Sequence, residues 1–389
     1  MDIAVIGAGN RARKYLSCIP GEVHVRYIVE PEPLRLSSAA KTCGVPPENC
    51  FTSVEEFFSR PRDIRAVIVA TPDKLHVPVA LEAVRHGYHV LLEKPVAQTL
   101  EEYMTLLEAS LDRGVQVGVC LEMRFHPYFR RMKEIVDSGV LGDLMEIDHT
   151  EHIGPDRMAH TFVRGLWSRS QDAGPIFLSK CCHDADFLMW LSGGTVVSAS
   201  SQGLIRKFRT DRAPYGATAR CLDCPVADCP YSAVQLYQER REWVDGFDVP
   251  SGSTIERVLL TELASGRYGR CVYRCDNTVY DTQDVEAVLS NGVQLHMHLE
   301  GTSMKEGRTT VISGSKATLS ADGGHIQVSG PDGTILLKDD YSHLAGLPLH
   351  AGADRMLVED FFNALSSGTE PHATLASALE GHRLCYLAG

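Results

Sequence analysis

The sequence predicts an α/β protein of two units, a parallel sheet wrapped by helices followed by a large, open, mostly antiparallel sheet. Short apolar strands alternate with helical segments up to about residue 125, which is the pattern of parallel strands joined by crossover helices. Beyond that point, strand-like segments follow one another with few helices between them, which indicates an antiparallel sheet. A length of 389 residues also favours two domains over one compact core.

The first domain is expected over residues 1–125. Its strands are predicted at 2–6, 23–29, 65–70, 88–92 and 115–119. Helices are predicted from the turn after the first strand to about residue 18, and at 34–43, 54–59, 76–86 and 99–113. Ser53 is the expected N-cap of the third of these helices.

The second domain is expected over residues 126–389 and begins with a helix at 127–138. Strand-like segments recur near 143–151, 196–206, 284–300, 308–313, 317–320, 325–328 and 334–337, and helices near 354–366 and 373–387 close the chain. Within this domain, the polar and cysteine-containing stretch at about 208–280 has little regular periodicity. We expect it to be an insertion.

Composition and charge exclude several classes of partner. The chain is 44% hydrophobic and 23% charged, with a net charge of −12. An acidic chain argues against a nucleic-acid partner, which would need a basic face. No apolar run is long enough to span a membrane and no signal-peptide pattern opens the chain, so we expect a cytoplasmic protein with mostly reduced cysteines.

A turn rich in small residues follows the first strand. Gly7, Gly9 and Ala12 fit the spacing G-x-G-x-x-A, with Asn10 and Arg11 between them. In a dinucleotide site the first glycine allows the tight turn, the second lets the backbone approach the pyrophosphate, and the small third residue lets helix and strand pack closely. The N–H groups that open the helix then face the phosphates. Because a strand precedes the turn and a helix follows it, these residues predict dinucleotide binding.

The end of the second strand indicates which dinucleotide binds. Glu30 lies there, where an acidic side chain accepts hydrogen bonds from the adenosine ribose hydroxyls. The same carboxylate would repel a 2′-phosphate, so the sequence favours NAD over NADP. Arg11 and Arg35 leave NADP open as the alternative.

Two further segments follow later strands, at the edge where such sheets bind ligands. Thr71 and Pro72 come after the third predicted strand, and His76 opens the next helix. Glu93 and Lys94 come after the fourth. We expect these residues to contact the cofactor, and Lys94 to hold a substrate hydroxyl beside the nicotinamide.

The motifs in this order resemble the Gfo/Idh/MocA oxidoreductases, which include glucose–fructose oxidoreductase and inositol dehydrogenase. The resemblance rests on Gly7-x-Gly9, Thr71-Pro72-x-x-x-His76, Glu93-Lys94-Pro95, Arg124-Phe125-x-Pro127, Ser138-Gly139-x-x-Gly142, His183-Asp184 and the segment around Phe361. It implies a doubly wound Rossmann domain, and an α/β domain whose open sheet often forms a homo-oligomer (dimer or tetramer) interface. It also implies NAD(P)-dependent chemistry on sugars, cyclitols and related polyols.

Carried over residue by residue, the resemblance assigns the family's catalytic lysine to Lys94 and its catalytic histidine to His183. An imidazole near neutral pKa suits this chemistry, because oxidation of a C–OH group releases a proton. One departure stands out. The family usually carries an aspartate four residues before the histidine, where this chain has Ser179, followed by Lys180. We therefore expect Lys180 to be a second cation that contacts substrate, which indicates either an altered proton relay or an anionic group on the substrate.

A mixed segment before this motif offers further substrate contacts. Arg164 is placed to grip an anionic group at two points, and Trp167 to stack on a sugar ring. Solvent exposure for Arg164 and core packing for Trp167 are the alternatives. Glu122 and His126 also lie near the expected domain junction.

A cluster of cysteines marks the insertion. Cys221, Cys224 and Cys229 have spacings that suit a tetrahedral zinc site, with Cys271 preferred to Cys275 as the fourth ligand. Four thiolates leave no open position, so the zinc would be structural. An iron–sulfur cluster and unmetallated thiols are the alternatives.

The leading hypothesis is therefore an NAD-dependent oxidoreductase that acts on a sugar, sugar acid or cyclitol through Lys94 and His183. The first alternative is a glycoside hydrolase that uses NAD for transient oxidation, elimination and re-reduction. The second is a regulator that binds NAD(H) without turnover.

Overall fold

The first sheet has six strands, all parallel, in the order β3-β2-β1-β4-β5-β6. The computed structural model describes all of residues 1–389. The strands are β1 (Asp2–Ile6), β2 (His24–Val29), β3 (Cys50–Phe51), β4 (Ala66–Val69), β5 (His89–Leu92) and β6 (Val117–Val119). This order reverses at β1 and β4, where open parallel sheets bind dinucleotides. The predicted parallel sheet is confirmed, and the two-residue β3 is an addition to it.

Five helices cover this sheet. They are α1 (Asn10–Leu16), α2 (Pro33–Cys43), α3 (Val54–Phe58), α4 (His76–Arg85) and α5 (Leu100–Arg113). Ser53 caps α3 as predicted, because its side chain accepts a hydrogen bond from the backbone N–H of Glu56.

The second sheet has eight strands in the order β14-β13-β12-β11-β7-β10-β9-β8. They are β7 (Leu144–His152), β8 (Val196–Leu204), β9 (Thr282–Leu289), β10 (Gln294–Glu300), β11 (Gly307–Gly314), β12 (Thr318–Asp322), β13 (His325–Ser329) and β14 (Ile335–Asp340). Only β7 and β10 pair in parallel. The prediction of a large, mostly antiparallel sheet is thus confirmed.

The remaining helices belong to the second half of the chain. They are α6 (Pro127–Asp137), α7 (Pro155–Arg157), α8 (Ser170–Ala173), α9 (Ile176–Ser192), α10 (Ile255–Ala264), α11 (Pro348–Ala351), α12 (Ala353–Ser367) and α13 (Leu375–Ala388), with π-helical turns at Met158–Arg164 and Gln235–Glu239. No helix is both long and apolar enough to cross a membrane.

Each sheet has its own hydrophobic core, but the C-terminal helices contribute residues to both cores. Helix α12 packs Leu357, Phe361 and Phe362 into the core of the first sheet. Helix α13 ends in the core of the second sheet, through Leu384 and Cys385. The division near residue 125 stays a prediction, and the structure adds that the C-terminal helices join the two cores.

Candidate active site

The glycine turn after β1 has the shape that the motif predicts. Gly7 has φ +91°, and a Cβ atom there would lie 2.4 Å from the carbonyl oxygen of Ala70. At Gly9 an added Cβ would meet no protein atom within 4 Å. The free N–H groups that open α1 face this space. The turn therefore leaves room for an anionic ligand where a side chain would otherwise stand.

Glu30 lies just after β2 and is buried. Its carboxylate accepts hydrogen bonds from the backbone N–H groups of Ala8, at 2.7 Å, and Glu32, at 3.0 Å. Because each carboxylate oxygen has two acceptor positions, the group retains capacity to bind ribose hydroxyls.

Arg11 was predicted to contact the cofactor, but its guanidinium points into the protein. Its Nε donates to Glu93 at 2.6 Å and its Nη2 donates to Asp354 at 2.8 Å. Glu93 also accepts hydrogen bonds from the hydroxyl of Tyr15 and, at 2.9 Å, from the backbone N–H of Lys94. These carboxylates hold the guanidinium, which fixes α1 against the loop after β5, so the side chain of Arg11 is not free to bind a 2′-phosphate. A contact of the cofactor with the backbone of Arg11 stays a prediction.

His76 is also committed within the protein. One ring nitrogen lies 2.7 Å from the carbonyl oxygen of Pro95, and the other lies 3.0 Å from that of Thr71. The side chain thus links the loops after β4 and β5. Nearby, the buried hydroxyl of Thr71 has no hydrogen-bond partner within the protein.

Lys94 and His183 come from different sheets and meet at the same place. The Nζ atom of Lys94 donates to the carbonyl oxygen of Ser179 at 2.8 Å, one helical turn before His183 on α9. Burial favours a neutral Lys94, but Cys182 and the carboxylates of Glu93 and Asp73 outweigh it and raise the pKa of this lysine. Lys94 therefore stays protonated.

Glu122 faces His183, a pairing that sequence reasoning did not identify. The Nδ1 atom of His183 lies 3.3 Å from Oε2 of Glu122, and both side chains are nearly buried. Neither atom has a well-aligned hydrogen-bond partner. Burial, together with the charge of Lys94, lowers the pKa of His183 well below its ordinary value, which keeps the ring neutral.

The chain has Ser179 where an aspartate was expected, and the carboxylate that faces His183 belongs instead to Glu122. Glu122 lies just after β6 and is far from His183 in sequence. The only sequence signal was the expected position of Glu122 near the domain junction.

Lys180 is not a free cation. It pairs with Glu151 on β7, and Arg308 on β11 pairs with both Glu151 and Asp184. The two positive and two negative side chains balance one another, which leaves no excess positive charge at this point.

Arg164 does not contact a substrate. Its side chain is completely buried, and it donates to the carbonyl oxygens of Arg270, at 2.7 Å, and Tyr231, at 2.6 Å. The predicted substrate contact is wrong, because the guanidinium holds the insertion together. Trp167 reaches the loop that follows β4, since its Nε1 donates to Asp73 at 3.0 Å.

The cysteines of the insertion come together around a small cavity of about 30 Å³. Its lining includes Arg164 and the four predicted ligands, Cys221, Cys224, Cys229 and Cys271. Cys275 is outside this lining, and its thiol donates to the carbonyl oxygen of Cys271 at 3.3 Å.

Comparison with known protein families agrees with this geometry. Residues 1–121 match the model described as the oxidoreductase family with an NAD-binding Rossmann fold, and residues 129–229 match the GFO/IDH/MocA C-terminal domain. The chain belongs to the Gfo/Idh/MocA oxidoreductase family. The predicted family resemblance is therefore confirmed.

Known members of the Gfo/Idh/MocA family extend the comparison. An inositol 2-dehydrogenase of Corynebacterium glutamicum (strain R) is 27% identical over 202 residues, which cover 50% of this chain and 55% of the relative. The chain thus spans about half the length of the curated relatives that it matches first.

Two solved structures share the whole fold. An Agrobacterium radiobacter oxidoreductase, in complex with NAD+, L-tartaric acid and magnesium, has a TM-score of 0.72 and 16% identity, over 100% of this chain and 95% of that one. The scyllo-inositol dehydrogenase of Lactobacillus casei, with bound NAD(H) and scyllo-inositol, has a TM-score of 0.68 and 17% identity, over 100% and 95%.

Proposed function

We propose that this protein is an NAD-dependent oxidoreductase that oxidises a carbinol group of a sugar, sugar acid or cyclitol. The observation that carries the proposal is the buried meeting of Lys94, His183 and Glu122 beside the loops that follow β4 and β5. This is the edge of the sheet to which the glycine turn also leads. Relatives named inositol 2-dehydrogenase support the same class of substrate.

The residues present fit a dinucleotide. Gly9 leaves open space at the start of α1, Thr71 offers an unpaired buried hydroxyl, and Glu30 retains acceptor capacity at the end of β2. We propose that Asn10 and Ala12 complete the turn, and that Pro72 shapes the loop that carries Thr71. When bound, NAD supplies the acceptor for the hydride that leaves the substrate carbon.

His183 and Lys94 have complementary proton states for this chemistry. The neutral imidazole of His183 accepts the proton of the substrate hydroxyl as the carbonyl forms. The ammonium of Lys94 donates a hydrogen bond to the same oxygen and stabilises its developing negative charge. Glu122 faces the other side of the imidazole, where it holds the ring orientation and stabilises the imidazolium that results. In the reduction direction the proton returns by the same route.

The charges around the site favour an uncharged substrate. Lys180 and Arg308 are neutralised by Glu151 and Asp184, so neither supplies the free cation that a carboxylate would need. Trp167 contributes an apolar ring beside Asp73, which is suited to one face of a sugar or cyclitol ring. We therefore propose a neutral polyol as the preferred substrate. Lys180 would then influence the substrate only through its ion pair with Glu151.

The test is NADH formation by the full chain with NAD+ and a panel of cyclitols, aldoses and sugar acids. Lys94→Met and His183→Asn are expected to lower kcat by about 10²–10⁴-fold, the usual loss for a general acid or base, while NAD+ binding persists. Full turnover by either variant would refute the assigned roles.

The two alternatives predict different outcomes of the same assay. Consumption of a glycoside without net NADH would identify redox-assisted glycoside cleavage. Tight NAD(H) binding without turnover on any polyol or glycoside would indicate a regulator. The presence of both Lys94 and His183 at one place favours turnover over binding alone.

We also propose that the protein forms a homo-oligomer through the open face of the second sheet. Val288 and Val311 are exposed on this face, beside a polar group formed by Glu146, Asp148 and His296. Light scattering on the purified chain measures the oligomeric state, and Val311→Glu at the centre of the sheet should lower it.

We further propose a structural zinc ion in the insertion, held by Cys221, Cys224, Cys229 and Cys271. All four line one cavity, and a donor set of four thiolates suits Zn²⁺. Because the sulfurs are not gathered within 4.8 Å of one another, we expect metal binding to draw them together. Arg164 then compensates part of the negative charge of the thiolates.

Elemental analysis of the purified full chain tests the zinc site. We expect about one zinc per chain, its loss in Cys224→Ser, and its retention in the control Cys275→Ser, whose thiol lies outside the cavity. Iron with visible absorbance would indicate an iron–sulfur cluster instead. Metal-free protein with unchanged stability in Cys224→Ser would refute any metal site.

A further inference from the structure

One segment of the insertion reaches back to the first domain. Residues 243–248, here called the strap, lie against helices α1 and α2. A Cβ atom on Gly246 would lie 3.4 Å from the side-chain amide nitrogen of Asn10. The carbonyl oxygen of Asp245 lies 3.4 Å from the guanidinium of Arg13. The strap therefore lies beside the glycine turn at which the dinucleotide is proposed to bind.

The first residue of the strap is held by aromatic stacking. The ring of Trp243 stacks on His160, with centroids 4.9 Å apart. His160 is itself stacked on Tyr268 and lies 2.8 Å from the hydroxyl of Tyr237. These contacts tie the strap to the π-helical turn that also carries Arg164, so its position follows from the packing of the second domain.

The last residue of the strap contacts Arg35, one of the two basic residues that leave NADP open as the alternative cofactor. Asp248 accepts a hydrogen bond from Nε of Arg35 at 2.8 Å, and the Nη2 atom of Arg35 lies at the same distance. This hydrogen bond raises the pKa of Arg35, against a lowering by burial, and the charge of Glu30 adds to the rise. Glu30 accepts a hydrogen bond from the backbone N–H of Glu32, the N-cap of α2, and Arg35 lies in the first turn of that helix. The two side chains therefore belong to the same end of the β2–α2 connection, whereas Arg11 is committed to Glu93 and Asp354.

We propose that Asp248 is a determinant of cofactor specificity, which neutralises Arg35 and holds it away from the 2′-position of the adenosine ribose. A 2′-phosphate needs an arginine there. With Arg35 paired to Asp248, NADP would meet the negative charge of Glu30 and no free cation. Specificity for NAD would then depend on a residue 213 positions away from Arg35 in sequence, through charges that act against the wrong ligand.

The inference rests on the proposed binding of NAD, and equilibrium binding tests it without turnover. Titration calorimetry on the full chain gives Kd for NAD+ and NADP+ separately. In Asp248→Asn, Arg35 is released and is free to pair with the 2′-phosphate. Kd for NADP+ should therefore fall by about 10-fold or more. Kd for NAD+ should change by less than about 3-fold.

Two further variants isolate the cause. Arg35→Ala added to Asp248→Asn should cancel most of the gain in NADP+ binding. Glu239→Gln removes an equal charge from an exposed position of the same insertion and should leave both constants unchanged. The gain should also shrink at high salt, because both side chains of the pair are partly exposed.

The outcomes separate this inference from the proposed function. Equal changes for the two nucleotides, or no change in Asp248→Asn, would overturn the inference and leave NAD binding intact. A wild-type chain that bound neither nucleotide would overturn both. A gain that survived Arg35→Ala would refute the role of Arg35.

Discussion

At the scale of single residues, the two glycines of the fingerprint turn do different work. Gly7 must accommodate both a positive φ and the carbonyl of Ala70, whereas Gly9 faces open space. We expect Gly7→Ala to destabilise the fold by at least about 1–3 kcal/mol, the usual cost of a strained backbone position.

Gly9→Ala is the matched control for that change. Its added methyl group meets no protein atom, so thermal unfolding should stay close to wild type. The methyl group would instead occupy the space proposed for the pyrophosphate, and Kd for NAD+ should rise by about 10-fold or more. Normal NAD+ binding by a stable Gly9→Ala protein would show that the ligand does not approach this turn.

The second residue-scale prediction concerns the partner of His183. Glu122→Gln keeps the shape of the side chain but removes the charge that stabilises the imidazolium. We expect kcat to fall by up to about 10⁴-fold, the loss seen when a catalytic histidine loses its orienting carboxylate. Kd for NAD+ should not change. If the variant lost thermal stability as well as kcat, the result would instead indicate that Glu122 has a structural role.

The third residue-scale prediction is a pH dependence with a definite sign. Burial and the charge of Lys94 lower the pKa of His183, so its neutral form persists below the ordinary histidine pKa. The rate of oxidation should therefore stay high well below pH 6.5 before its acid limb appears. In Lys94→Met, where that charge is gone, NMR titration of His183 should show a higher pKa, and an unchanged pKa would refute the coupling.

At the scale of secondary-structure elements, helix α9 depends on a buried ion pair. Arg124 donates to both carboxylate oxygens of Asp186, at 2.8 and 2.6 Å, and both side chains are almost fully buried. Removing one partner leaves an uncompensated buried charge, so Asp186→Ala should cost about 3–5 kcal/mol in unfolding free energy. The exposed pair of Arg85 and Glu82 is the control, and Glu82→Ala should cost no more than about 1 kcal/mol.

The elements that the sequence pattern predicted well are those with a simple periodicity. The five predicted strands of the first sheet are short, mostly apolar runs bounded by turns, and their predicted bounds agree with the structure within two residues. The two-residue β3 is too short to show such a run. Helix α9 was not predicted as an element, because it is buried on nearly every side and has no polar face to mark its period. His183 lies in the middle of this helix.

Long-range contacts limited the rest of the site prediction. The stretch 284–300 was read as one strand-like segment, although Asn291 and Gly292 turn the chain between β9 and β10. Motif spacing indicated Lys94 and His183, but Glu122 and Asp248 contact partners that are far away in sequence. Arg164 shows the same limit, since only packing against the insertion reveals that its charge is buried.

At the scale of the whole molecule, the site exists because the two domains are held in one arrangement. The Nζ atom of Lys94 reaches α9, the indole of Trp167 reaches Asp73, and the ammonium of Lys74 donates to the carbonyl oxygen of Gln171 at 2.7 Å. Each bond joins a loop of the first sheet to the second domain. The arrangement that brings His183 to Lys94 is therefore fixed by polar contacts at the same edge where the ligand is proposed to bind.

Helix α12 is also joined to the first domain by an ion pair of Asp354, and the contribution of this pair to stability should depend on pH. Asp354 accepts hydrogen bonds from Arg11, 343 residues away, at 2.8 Å and from His350 at 2.9 Å. Burial alone would raise the pKa of Asp354, but these partners lower it to about 2. Because the folded pKa lies below the unfolded value, this carboxylate stabilises the fold above about pH 4, and the contribution is lost as the pH falls towards 2.

Asp354→Asn tests the contribution of this carboxylate to the stability of the fold. At pH 7 it should lower the unfolding free energy by about 2 kcal/mol, the equivalent of the pKa difference. Urea unfolding at a series of pH values should show the difference from wild type narrowing below about pH 4. Glu370→Gln, at an exposed position near the same helix, should show no such dependence. A constant difference at every pH would mean that Asp354 acts through its shape and not through its charge.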